Sequence, residues 1–150
     1  MLTMLGLGLG LVVLGVAVAA QFPPDVQQAL SSAKNLYVAT KRADGSTSKV
    51  SPIWFMADDN AVYFTTIPTS YKAKRIAKGS PVLVWVGSEQ GPHFVGKGEI
   101  LRDPALADKM APAYDKKYWI SWIGFFRPRA ERISEGKTVI VKVTPLPSEH

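Results

Sequence analysis

The run from Lys49 to Arg75 constrains the fold of this 150-residue chain more than any other segment. Lys49-Val-Ser-Pro-Ile-Trp-Phe55 reads as a strand, Asp58-Asp-Asn60 as a turn and Val62-Tyr-Phe-Thr-Thr66 as the returning strand. Ser70-Tyr-Lys-Ala-Lys-Arg75 then opens a basic helix. Successive strand residues face opposite sides, so each strand carries two distinct sets of side chains. Two paired strands running into a helix start bring hydroxyls and cations to one point, an arrangement suited to an anionic cofactor.

The flanking sequence extends this pattern. Leu36 to Thr40 reads as a strand, and Ala43-Asp-Gly-Ser46 as a hairpin turn leading into Lys49–Met56. With Ala61 to Thr66 these strands predict a three-stranded meander. Thr69 or Ser70 is placed to cap a helix over Ser70–Lys78, with Ala73, Ile76 and Ala77 inward and Gly79 ending it. Pro81 to Val86 is an apolar strand. His93 to Leu101 is another, in which Gly96 and Gly98 predict a bulge or sharp coil. Asp103 caps and Pro104 starts a helix to about Lys117, with Pro112 expected to kink or split it. Tyr118 to Arg129 is aromatic and irregular, and Thr138 to Thr144 closes the chain. Ahead of this lie a linker with two prolines and a short helix, Val26–Ala33, capped by Asp25. The expectation is a mainly β (α+β) domain over residues 35–150, preceded by a linker and helix at 21–34. It would be a small barrel of about six mostly antiparallel strands with two or three helices.

Composition removes whole classes of chemistry. The chain has no cysteine, so disulfides, thiolate catalysis and cysteine metal sites are excluded. Its two histidines are His93 and the terminal His150, which leaves little for a histidine metal site or a serine–histidine triad. His93 reads as a strand residue, and Asp58 and Asp59 as turn formers. Chemistry here would come from a bound cofactor, or from carboxylates, lysines and tyrosines. The net charge of +6 suits an anionic small molecule, nucleic acid or lipid headgroups. No nucleic-acid motif accompanies it.

Met1 to Ala20 contains one polar residue, Thr3, and no charge. Twenty helical residues span about 30 Å, the depth of a bilayer core. A membrane anchor is the favoured reading. The first basic residues, Lys34, Lys41 and Arg42, follow the segment, which places the domain on the cytoplasmic side. A cleaved signal segment ending near Ala17-Val-Ala19 is the alternative, although no positive charge precedes the apolar run. A third is an extension that meets no membrane.

Thr65 and Thr66 end a strand just before the helix at Ser70, whose first turn holds Lys72, with Arg75 three residues on. Free N–H groups at a helix start, hydroxyls and two cations would hold a phosphate; the plainer alternative is a solvated basic face. Pro52 within a strand implies an edge, a bulge, or backbone left open to a ligand. Ordinary core packing fits the same strand. Tyr118-Trp-Ile-Ser-Trp-Ile-Gly-Phe-Phe126 offers Trp119 and Trp122 as walls of a substrate pocket, with core packing or a dimer interface as the alternative. Arg127 and Arg129 would meet an acidic substrate or join surface ion pairs.

At Tyr37-Val-Ala-Thr40, Asp44-Gly45, Val50-Ser-Pro-Ile-Trp-Phe55, Asp58-Asp59, Tyr63-Phe-Thr-Thr66, Ser70-Tyr-Lys72 and the apolar strand after Pro81, the sequence resembles the pyridoxamine 5′-phosphate oxidase-like split-barrel proteins that bind flavin mononucleotide (FMN). The resemblance covers about residues 25 to 144. It implies an antiparallel split barrel, a homodimer, and FMN at the subunit interface. Lys49, Val50, Ser51 and Pro52 would meet the isoalloxazine and ribityl part. Thr65, Thr66, Ser70 and Lys72 would hold the ribityl chain and phosphate, with Arg75 compensating where Tyr71 replaces the oxidase's usual arginine. The family's usual tryptophan or arginine near the carboxy terminus is missing, which speaks against pyridoxamine phosphate oxidation itself. A deazaflavin-using relative has a Ser-x-Lys-x-Arg pattern that Lys74 partly satisfies. The sequence thus points to an FMN-dependent oxidoreductase. A deazaflavin-dependent reductase and a non-catalytic, membrane-tethered module for flavin or haem are the alternatives, and a peripheral lipid-binding domain is a third.

Overall fold

The computed structural model describes residues 20–118 and 127–147. The amino-terminal segment, Trp119 and Trp122 lie outside the described residues. No helix among the described residues is long and apolar enough to cross a membrane. Among the described residues seven strands and four helices follow in the order α1 (Pro24–Leu30), β1 (Leu36–Thr40), β2 (Ser51–Ile53), β3 (Met56–Ala57), β4 (Val62–Thr66), α2 (Tyr71–Ala77), β5 (Pro81–Val86), β6 (His93–Leu101), α3 (Pro104–Lys117), α4 (Ala130–Ser134) and β7 (Val139–Pro145).

All strands join one antiparallel sheet in the order β2-β1-β5-β6-β7-β4-β3. The single strand expected over Lys49–Met56 is therefore two, which makes seven strands rather than six. Trp54 and Phe55 separate them, and the halves lie on opposite edges of the sheet. A two-residue link between the two edges forces the sheet to curl toward closure, the geometry of a split barrel. The predicted meander is correspondingly broken: β1 pairs with β2 and β3 with β4, but β2 does not pair with β4.

The β1–β2 hairpin carries an irregularity that shapes the site. Lys41 bridges Thr47, yet Val38 pairs with Ser51. The register slips by one residue: the Ser48 N–H still donates to the Thr40 carbonyl at 2.8 Å, and Lys49 and Val50 together face Ala39 as a bulge. Gly45 (φ 84°) makes the turn in the left-handed region that glycine adopts without a Cβ penalty.

Apolar alternation places the core. Val82, Val84 and Val86 of β5 point inward with Leu36 and Val38 of β1, Val62 and Phe64 of β4, and Val141 and Val143 of β7. Phe22, Val26 and Leu30 from α1 and Ile76 from α2 join this cluster. On the other side of β4 and β7, Tyr63 and Ile140 pack with Ala107, Met110, Tyr114 and Tyr118 of the α3 region and Ile133 of α4.

Several local expectations need correction. Asp25 does not cap α1; Pro23 is the N-cap and makes no side-chain bond. Ala77 is exposed, so α2 rests on Ala73 and Ile76. Helix α3 passes through Pro112 as one element. Gly96 and Gly98 lie in regular β6 pairs rather than at a bulge. Their role is close approach. A Cβ on Gly98 would sit 2.7 Å from Ile76 Cγ2, so the bare backbone there lets α2 lie against β6. A Cβ on Gly96 would collide with Val143.

Candidate functional site

Helix α2 is the hinge of the site. Ser70 caps it: its Oγ accepts the Ala73 N–H at 3.1 Å and lies 3.2 Å from Thr66 Oγ1. This ties the end of β4 to the start of α2. Gly79 (φ 97°) stops the helix after seven residues. In so short a helix the positive potential comes mainly from side chains. Lys72 and Arg75 are half-buried, whereas Lys74 and Lys78 are exposed.

Lys72 projects between two adjoining clefts. The inner one, of about 410 Å³, is lined by Asn35, Pro52, Ile53, Trp54, Thr65, Thr66, Lys72 and Tyr114. The outer one, of about 610 Å³, is lined by Thr40, Arg42, Ser48, Lys49, Val50, Ser51, Pro52, Tyr71, Lys72 and Arg75. Pro52 and Lys72 belong to both. Strand β2 ends the strand order, so among the described residues its edge away from β1 has no strand neighbour, as its proline implies.

Of the nine residues nominated for the cofactor, Lys49, Val50, Ser51, Pro52, Thr65, Thr66, Lys72 and Arg75 line one or both clefts. Ser70 lines neither and acts through the cap and Thr66. Lys72 Nζ sits 5.7 Å from the Phe64 ring centroid. Neither of the two ion pairs among the described residues involves it. Burial pushes its pKa down, the signature of a cation short of compensating charge. Arg127 is committed elsewhere: its guanidinium donates to both Asp115 oxygens at 3.0–3.3 Å, and it lines neither cleft.

The inner cleft rests on a support that sequence reading missed. Tyr114 and Tyr118, one turn apart on α3 and its C-cap, hold the β2–β3 bend from sixty residues away. Tyr114 Oη donates to the Trp54 carbonyl at 2.9 Å. Tyr118 Oη donates to the Lys34 carbonyl at 2.7 Å and accepts the Phe55 N–H at 3.0 Å. Its ring stacks on Trp54 with centroids 4.1 Å apart and planes 1° from parallel. Burial drives the Tyr118 phenol up to about 12, so it stays protonated and keeps donating. The i, i+4 tyrosine spacing was the available signal. Beside it, Lys117 Nζ lies 3.0 Å from the Phe55 ring centroid; burial first, then the Lys34 charge, lower its pKa to about 7.

The donor set fits a phosphorylated planar ring. Cations and hydroxyls gather at the outer cleft, with no carboxylate among the lining residues. An unpaired strand edge and the Trp54 face flank the inner one. His93, by contrast, is exposed on β6 beside Trp85 and lines neither cleft.

Comparison with known proteins bears on the fold and the family. Among solved structures, an F420 reductase is 24% identical, with a TM-score of 0.57, over 84% of this chain and 97% of that one. General stress protein 26 from Bacillus anthracis str. Sterne is 18% identical, with a TM-score of 0.58, over 81% and 86%. The heme storage protein HutZ from Vibrio cholerae is 14% identical, with a TM-score of 0.57, over 86% and 93%. At these identities the likeness is one of fold. No curated protein matches the chain. The family model for pyridoxamine 5′-phosphate oxidase matches residues 22–146, nearly all of the chain after its apolar start, and the protein belongs to that family.

Proposed function

We propose that the protein is an FMN-dependent oxidoreductase whose cofactor lies across the two clefts. The observation that carries this reading is the convergence of Thr65, Thr66 and Lys72 with the open edge of β2 at Pro52. Lys72 and Arg75 bind the phosphate, assisted by Lys49 and Ser51. Thr65 and Thr66 orient the ribityl chain. The β2 edge offers backbone donors and acceptors to the polar rim of the ring, and Trp54, fixed by Tyr114 and Tyr118, walls its apolar side. The bound flavin would supply hydride or electron transfer, so no side-chain nucleophile is required. The family implies a homodimer with the cofactor at the interface, which would complete clefts that are open in one chain. The active form would be anchored through residues 1–20, with its domain facing the cytoplasm.

A deazaflavin-dependent reductase is the second reading. It is favoured by Lys74 on α2 and by the likeness to an F420 reductase. The test compares Lys72→Ala with Lys78→Ala by retention of FMN through gel filtration. Loss of FMN in the first and retention in the second are expected. Equal small effects would mean that the α2 cations are only solvated.

A further inference from the structure

The row of cations does not stop at the phosphate. Beyond Arg75 a third cleft, of about 550 Å³, is lined by Lys41, Arg42, Tyr71, Lys74, Arg75 and Lys78, among others, with no carboxylate. Arg42, Tyr71 and Arg75 also line the outer cleft, so the two are continuous. None of the five cations takes part in either ion pair found among the described residues. Asp44 feels the Arg42 charge, but its Oδ1 is engaged by the Ser46 N–H and hydroxyl at 2.9 and 2.6 Å.

The cations are also held in place. Lys41 Nζ donates to Thr47 Oγ1 at 2.7 Å, and the Lys41 N–H donates to Ser80 Oγ at 2.9 Å. Arg42 Nη1 donates to the Thr47 carbonyl at 2.7 Å. On α2, Lys72, Arg75 and Lys78 follow at three-residue steps, each about 5–6 Å between Cβ atoms. Like charges at Lys74 and Lys78, one turn apart, repel unless an anion lies between them. Above this row Tyr71 is 75% exposed, with Arg75 Cζ 5.4 Å and Lys74 Nζ 5.9 Å from its ring centroid. A largely exposed aromatic ring beside cations that make no ion pair among the described residues is an arrangement that can bind a base and its phosphates.

We infer that this third cleft receives the adenylate half of a dinucleotide flavin. The first phosphate lies at Lys72 and Arg75, the second passes over Arg42 and Arg75 toward Lys74 and Lys78, and the adenine stacks on Tyr71. This deepens the flavin reading and rests on it. The site then discriminates between mono- and dinucleotide forms, with the dinucleotide bound more tightly.

The test titrates the full chain with FMN and with flavin adenine dinucleotide (FAD) at one ionic strength, following flavin fluorescence. FAD is expected to bind at least about tenfold more tightly than FMN, the equivalent of one base–aromatic stack. Lys74→Ala/Lys78→Ala should remove that advantage while leaving FMN affinity within about twofold; Tyr71→Ala should weaken FAD more than FMN, and Tyr71→Phe should keep the advantage. FMN bound with FAD no tighter would overturn the inference and leave the flavin reading standing. So would equal losses for both ligands in the variants, which would mark general charge attraction. If neither ligand binds, the flavin reading itself fails.

Discussion

Replacing Tyr118 by Phe tests the claim that α3 holds the cleft open from a distance. The substitution keeps the ring, and with it the stack on Trp54, but removes one oxygen that serves two backbone groups. The Phe55 N–H, on a residue with no exposed surface, loses its acceptor. An orphaned buried donor costs about 1–3 kcal/mol. The Lys34 carbonyl belongs to an exposed residue, so water replaces the lost bond and the cost is about 0.5–1.5 kcal/mol. Together they predict a loss of about 1.5–4.5 kcal/mol. Urea denaturation at fixed protein concentration should show a lower midpoint with an unchanged slope, since the surface exposed on unfolding is the same. Tyr71→Phe, at an exposed ring, is the control and should stay within about 0.5 kcal/mol. A Tyr118→Phe loss as small as the control's would refute the reasoning and make the two bonds incidental.

Two other perturbations probe different links. Gly98→Ala places a methyl 2.7 Å from Ile76 Cγ2 and 2.9 Å from Val82 Cγ2; it should cost about 1–3 kcal/mol and weaken FMN binding by moving α2. Unchanged stability would mean that α2 does not depend on that contact. Lys117 is depressed to about 7 in the folded chain, so the unfolded chain binds the extra proton between about pH 7 and the ordinary lysine range. Stability should therefore rise with pH over that window in the parent. Lys117→Met should be more stable at pH 7 and show a flatter profile, and parallel denaturation profiles would show that the ammonium is not penalised.

Much of the barrel was legible because its signals are local. β5 carries a clean apolar run between Gly79 and Gly87, and β6 opens after Gly91-Pro92 with buried and exposed residues alternating. Ser70 and Gly79 bracket α2 as cap and stop. The break between β2 and β3 was not legible, because Trp54 and Phe55 continue the alternation and nothing local marks a strand that changes edges. What bends the chain there is tertiary: Tyr114 and Tyr118 bind its carbonyl and N–H groups. Helix α4 escaped notice for a related reason, since five residues with one buried side chain, Ile133, show no period. In the site, the α2 and β4 residues were readable from their order in the chain. Asn35, Arg42 and Tyr114 were not, because they reach the clefts only through pairing and packing.

The most direct test of the central claim is the absorbance spectrum of the purified full chain, followed by titration with FMN. Flavin bands approaching one equivalent per chain, lost in Lys72→Ala, are the predicted result. A colourless protein that takes up no added flavin would contradict it.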